Sequence, residues 1–275
     1  MIKIFIALGV FAVLGILIGI LLAIASKAFH VESDERIEKV CDCLPGANCG
    51  GCGYTGCSAL AEAIVKGEAS TASCTVGGNE VSEAIAAVMG IEAKPSVRMR
   101  AQVMCSGIQE CTKHKLDYVG VSDCRAAAAL GGGDKCCPNG CIGLGTCAAA
   151  CPFGAIDIEN GVARVDYMKC RGCGVCVASC PKKIIELIPF DSRHWVGCKS
   201  TALGSNTKSF CDVVCIGCGS CAKNCPEKAI TVVDHVAKID YSKCTSCDTC
   251  ISKCPRKIIW SAATHGSDGL TVSRF

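Results

Sequence analysis

From Ile4 to Ser26 the chain carries no charged residue, and the run is dominated by isoleucine, leucine, valine and alanine. A helix rising 1.5 Å per residue needs about 20 such positions to cross a hydrocarbon core of about 30 Å. The pattern predicts a transmembrane helix over residues 1–29. Ala23-Ile24-Ala25 loosely fits a signal-peptidase site, but the apolar stretch exceeds a signal core and no twin arginine precedes it. Lys27, Arg36 and Lys39 follow the helix, against Lys3 before it, which leans toward a cytoplasmic C-terminal body and a single-pass protein of the cell membrane. Gly15 and Gly19 stand four residues apart, a spacing that admits close approach of a partner helix.

Beyond residue 30 the period changes. Ser58 to Lys66 is alanine-rich and predicts a helix, and Glu80 to Gly90 predicts another with Val81, Ile85, Val88 and Met89 on its apolar face. Gly90 and the pre-proline position Lys94 end it. Two alternating segments read as hairpins: Ala155 to Glu159, Asn160-Gly161, Val162 to Val165; and Ala229 to Val233, Asp234-His235, Val236 to Ile239. They belong to an internal repeat of 74 residues, each unit a cysteine run, a hairpin and a second cysteine run. The expected fold is α+β: an N-terminal transmembrane helix, a small α-rich domain and tandem two-cluster ferredoxin-like modules. The expected boundaries are a helix at 1–29, a linker at 30–43, the small domain at 44–80, helix and linker at 81–101, and a middle cysteine region at 102–136. Module 1 then covers 137–190, a linker 191–210, module 2 211–262, and a tail 263–275.

Composition sharpens this. Cysteine supplies 28 of 275 residues. A disulfide scaffold is normally short with irregular spacing, whereas three runs here follow C-x2-C-x2-C-x3-C-P. They are Cys170, Cys173, Cys176, Cys180; Cys215, Cys218, Cys221, Cys225; and Cys244, Cys247, Cys250, Cys254. In a fourth, Cys141, Cys147 and Cys151 stand before Pro152, but Leu144 fills the slot of a cysteine. Zinc takes two C-x2-C pairs and has no use for a third thiolate followed by C-P, so the runs point to [4Fe–4S] clusters. In such runs the cysteine before proline crosses to the neighbouring cluster. Module 2 then uses Cys215, Cys218, Cys221 and Cys254 for one cluster, with Cys244, Cys247, Cys250 and Cys225 for the other. Module 1 uses Cys170, Cys173, Cys176 and Cys151 for one; for the other, Cys141, Cys147 and Cys180 recruit Cys137 in place of the missing ligand. Cys136 is left to the middle region, although the adjacent pair could exchange roles.

Cys49, Cys52, Cys57 and Cys74 form C-x2-C-x4-C-x16-C in a glycine-rich setting suited to one further cluster. Cys105, Cys111 and Cys124 with Cys136 or Cys137 form a less regular set, so the total is five or six clusters. Cys41, Cys43, Cys198 and Cys211 are expected to be spare thiols. Because clusters replace hydrophobic mass, the apoprotein should be largely unfolded.

Other chemistries are poorly represented. A net charge of +3 and few aromatic residues give no nucleic-acid footprint. The histidines are scattered, no nucleotide or flavin fingerprint is present, and Gly131-Gly132-Gly133 is a turn signal. No residue is catalytic by itself. Lys182, Lys183, Lys228, Lys253, Arg256 and Lys257 gather beside the cluster runs and could steer an acidic ferredoxin.

The order of these features, from the apolar N-terminal helix through LPGANCGGCGYTGC with Cys74 to the middle cysteines and tandem runs, resembles the B subunit of the Rnf electron-transport complexes. The resemblance implies a subunit that carries electrons between reduced ferredoxin and the flavin- and NAD-binding subunits of a membrane complex. That complex couples the transfer to sodium or proton translocation. It also implies other Rnf subunits and soluble ferredoxin as partners, and no flavin or nucleotide on this chain. An anchored ferredoxin of another respiratory dehydrogenase and an iron–sulfur scaffold protein are the competing readings.

Overall fold

A computed structural model describes residues 2–28, 34–93, 95, 97–202, 204–207 and 209–262. The start of the expected linker, Lys94 and the tail 263–275 lie outside the described residues. The chain opens with α1 (Ile2–Ala28), a single helix of 27 residues. Among the described residues no helix is long and apolar enough to cross a membrane.

The N-terminal domain packs α2 (Glu35–Cys43), α3 (Cys57–Val65) and α4 (Gly78–Met89) around Val40, Leu60, Ile64 and Ile85. Residues 35–43, expected as linker, are therefore part of this core. Asp34 caps α2 through the Arg36 N–H, and Val40 is fully buried. Gly90 ends α4 in the left-handed conformation, as its position predicts.

The body carries β1 (Met99–Val103), α5 (Cys124–Ala129), α6 (Thr146–Ala149), β2 (Ile156–Glu159), β3 (Val162–Val165), α7 (Val175–Ser179) and β4 (Ile185–Pro189). It continues with β5 (His194–Val196), α8 (Gly204–Thr207), α9 (Ser220–Lys223), β6 (Ile230–Val233), β7 (Val236–Ile239), α10 (Thr249–Lys253) and β8 (Ile259–Ser261). Both predicted hairpins form, β2 with β3 and β6 with β7. Asn160 and Gly161 turn at φ 47° and 73°, Asp234 and His235 at 51° and 64°, the two successive positive values of a type I′ turn.

The segments expected as linkers instead contribute strands. β1 pairs antiparallel with β4, and β5 with β8, so each ferredoxin-like unit gains a strand from upstream. The two additions are equivalent. Met104 N–H donates to the Ile184 carbonyl at 2.8 Å and Gly197 N–H to the Ile258 carbonyl at 2.7 Å, and Ile184 and Ile258 are partners in the 74-residue repeat.

Between the units lies an apolar seam of Met104, Ile188 and Trp195, with Tyr167, Tyr241 and Trp260 against it. Arg100, 2 % exposed, sits at its edge over the rings of Tyr167 (3.9 Å) and Trp195 (5.6 Å). Its guanidinium donates to Gln102 Oε1 at 2.7 Å and the Ser192 carbonyl at 2.8 Å. A desolvated cation over aromatic faces and its hydrogen bonds contribute about 3 kcal/mol together. Arg100→Met is expected to lower stability by about that amount with the iron content unchanged, measured by thermal unfolding of the anaerobic holoprotein.

Candidate metal centres

Four cavities are lined by four cysteines apiece. In the N-terminal domain Cys49, Cys52, Cys57 and Cys74 surround one. Gly50 and Gly53 hold positive φ in the ligand loop, and Asn48 Oδ1 accepts the Cys57 N–H at 2.8 Å, fixing the start of α3. In module 2, Cys215, Cys218, Cys221 and Cys254 line a second, while Cys225, Cys244, Cys247 and Cys250 line a third. In both, the cysteine before proline has crossed to the other run. Short helices present the middle thiols: α9 begins beside Cys221, α10 beside Cys250.

Module 1 differs from expectation. Its cavity is lined by Cys141, Cys147, Cys180 and Cys124, and Cys137 is not among its lining residues. Cys124 reaches it because Asp123 caps α5 and also accepts from Thr146 Oγ at 3.0 Å, while Thr146 Oγ accepts the Cys124 N–H at 2.6 Å. Leu144 packs against the small cluster of Cys124, Ala127 and Ile142. The expected grouping of Cys124 with Cys105 and Cys111 is thus not what the fold brings together. The second set of module 1 does meet: Cys176 faces Cys170, Cys173 and Cys151. Their sulfurs attract backbone donors, with Ala101 N–H 3.3 Å from Cys170 Sγ and Ala155 N–H 3.4 Å from Cys151 Sγ. Module 2 repeats the latter contact between Ala229 and Cys225 at 3.3 Å.

Neighbouring sets lie close together. Cys173 lies in electrostatic reach of Cys49, Cys147 of Cys176, and Cys250 of Cys221. Cys136 is half-buried, and Cys105, Cys111, Cys137 and Cys211 are buried near one another, so Cys211 is no isolated thiol. Cys41 and Cys43 pack against the N-terminal core.

The donor sets suit [4Fe–4S] clusters better than single ions. Among the described residues no group of three or more His, Cys, Asp or Glu side chains closes on one metal ion. Zinc requires four sulfurs about 2.3 Å from a single point, whereas a cube binds each thiolate at a different iron and needs an open cage. Burial pushes the thiols of Cys141, Cys147 and Cys176 up to about 12 and those of Cys221 and Cys250 up to about 11. Burial thus disfavours the thiolates at these sites, and bound iron would hold them deprotonated.

The comparisons agree with this chemistry. An Fe–S cluster family matches residues 44–76, and a 4Fe–4S dicluster domain matches 139–184 and 214–258. The B subunit of the Na(+)-translocating ferredoxin:NAD(+) oxidoreductase complex of Acetobacterium woodii is 45 % identical over 88 % of this chain and 73 % of its own. The B subunit of the ion-translocating oxidoreductase complex of Methanosarcina acetivorans is 44 % identical over 87 % and 91 %. The chain belongs to the family of Rnf B subunits. The B subunit of the proton-translocating ferredoxin:NAD(+) oxidoreductase complex of Clostridium ljungdahlii, 42 % identical over 86 % of this chain and 84 % of its own, is a third relative. As a member of this family the chain is an iron–sulfur electron-transfer subunit of an oxidoreductase complex.

Proposed function

We propose that this chain accepts electrons from reduced ferredoxin at module 2 and relays them toward membrane-bound partner subunits of an ion-translocating ferredoxin:NAD oxidoreductase. The carrying observation is the succession of cysteine sets, close to one another from the N-terminal domain through both sets of module 1 and again within module 2. All-thiolate clusters of this type exchange single electrons at potentials set by local charge, hydrogen bonds and exposure. Five ligand sets follow: Cys49, Cys52, Cys57, Cys74; Cys151, Cys170, Cys173, Cys176; Cys124, Cys141, Cys147, Cys180; Cys215, Cys218, Cys221, Cys254; and Cys225, Cys244, Cys247, Cys250.

Two features give the line a direction. At one end is α1, whose described apolar side chains, Val13, Leu14 and Ile16 to Ile18 among them, are about half exposed or more. A lipid bilayer is the environment that would cover them, and 27 residues give about 40 Å of helix. At the other end, Cys218 and Cys247 are the two exposed cysteines among the described residues. Lys228, Lys253 and Lys257 stand exposed around that module, whereas Lys182 is half-buried and donates to the Pro138 carbonyl at 2.8 Å. Lys183 of module 1 is exposed as well, so three of the four exposed lysines of this group lie on module 2, the better-charged end for an acidic ferredoxin.

Reversing Lys228, Lys253 and Lys257 to glutamate together is expected to slow reduction by ferredoxin about tenfold at low ionic strength and to flatten its salt dependence. Stopped-flow absorbance of the clusters reads both. An unchanged rate with unchanged salt dependence would place ferredoxin elsewhere.

A further inference from the structure

The repeat equivalence of β1 and β5 places Cys105 and Cys198 at the same point, each two residues beyond the last strand residue, Val103 or Val196. Their surroundings match as well. Cys141 N–H points at Cys105 Sγ (3.5 Å), and the N–H of Cys215, its repeat partner, points at Cys198 Sγ. A second equivalent pair is Cys137 and Cys211, each four residues before the run that opens its module. These two pairs meet where the modules abut. Cys105 lies in electrostatic reach of Cys137, Cys198 and Cys211 alike, and Cys198 packs against the cluster of buried residues that contains Cys137 and Cys211. A Cβ on Gly107 would meet Thr112 Cγ2 at 2.7 Å and then Cys211 Sγ (3.5 Å) and Cys105 Sγ (3.7 Å), so the glycine lies against both sulfurs.

We infer that Cys105, Cys137, Cys198 and Cys211 form a sixth [4Fe–4S] site, shared by the two modules, with each module donating one cysteine of each equivalent pair. It rests on the proposed reading that the other five sets hold clusters. Every one of the four sulfurs faces backbone donors: Cys141 at Cys105; Asn139 and Gly140 at Cys137; Ser200 and Cys215 at Cys198; Val213 at Cys211. The same N–H to sulfur contacts occur in the five other sets, and they suit a sulfur that carries charge. Beside the site is Lys135, 4 % exposed, its ammonium on the carbonyls of Gly107 (2.9 Å) and Gly161 (2.7 Å). No carboxylate pairs with it among the described residues. An anionic cluster would supply the missing countercharge.

Cys111 is the competitor for a place, since it also lies near Cys211. The bridge between Thr112 and Cys211 decides against it. In an antiparallel pair those two side chains share a face, and Cys111 falls opposite Asp212 on the other. Asp212 and Glu110 are the charged neighbours of Cys111. With this site present, the sets of module 1 and module 2 are joined through Cys105 and Cys198. The position explains why both modules carry two cysteines that their own runs do not use.

Iron, sulfide and spin content of the anaerobic full-length protein test the site. About 24 irons per chain are expected, and about 20 in Cys198→Ala and in Cys211→Ala, with one of six reduced-state paramagnetic signals lost. Cys111→Ala and Cys136→Ala should keep about 24. About 20 irons in the wild type would overturn the sixth site while leaving the five-set reading intact; far fewer would overturn that reading too. Loss of iron in Cys111→Ala with retention in Cys198→Ala would overturn the ligand set. Should the alanine variants not accumulate, Cys211→Ser keeps an oxygen ligand and is expected to shift the spectrum of one signal without loss of iron. An unshifted spectrum counts against the assignment.

Discussion

Replacing Cys124 by alanine is expected to remove one cluster, about four irons per chain, and adding Leu144→Cys to that variant is expected to restore it. The rescue follows from the repeat. Leu144 stands between Gly143 and Gly145 at φ 82° and 81°, and its partner Cys218 stands between Gly217 and Gly219 at 65° and 71°. The loop conformation that aims Cys218 into its cavity is therefore already present in module 1, with the wrong side chain. Cys124 compensates from outside the run, held by Asp123 and Thr146. Thr146→Val removes that hydroxyl and should cost about 1–2 kcal/mol, leaving a cluster that is bound but lost sooner to a chelator. Iron assay and paramagnetic spin counting of the three variants read the outcome. If Cys124→Ala keeps its full iron, or if Leu144→Cys does not recover it, Cys124 is not the fourth ligand.

Local spacing made the regular runs, the hairpins and the N-terminal set legible in the sequence, because their ligands and turns lie within a few residues of one another. Cys124 was not legible. Its position depends on a hydrogen bond across 22 residues to Thr146, and nothing in the spacing from Cys111 to Cys124 distinguishes a ligand of one cluster from that of another. The spare cysteines hid for a related reason. The 74-residue offset aligns Cys137 with Cys211, but 32 residues separate Cys105 from Cys137 and only 13 separate Cys198 from Cys211. The extra loop of module 1 thus conceals the equivalence of Cys105 and Cys198. Only the pairing of β1 with β4 and β5 with β8 recovers it, through strands too short to stand out and partners more than 60 residues away. Segments that looked like linkers became sheet edges for the same reason.

At the N-terminal end of the line, Gly51→Val is expected to separate the N-terminal set from the body. A Cβ at Gly51 would lie 2.3 Å from the Cys173 carbonyl oxygen and 3.0 Å from its carbonyl carbon. Backbone meets backbone there, and no rotamer can relieve the contact. That approach is also what brings Cys49 within reach of Cys173. Overpacking costs about 1–3 kcal/mol in a rigid site, and a contact between two domains relaxes by opening. Each domain keeps its own ligands, so the iron content should not change. The expected signature is loss of magnetic interaction between the two neighbouring reduced clusters, together with slower reduction of the N-terminal one when ferredoxin is the donor. Gly51→Ala should show the same effect in smaller measure. Unaltered spin coupling and an unaltered rate in the valine variant would mean that electrons leave the body by a route other than the Cys173–Cys49 contact.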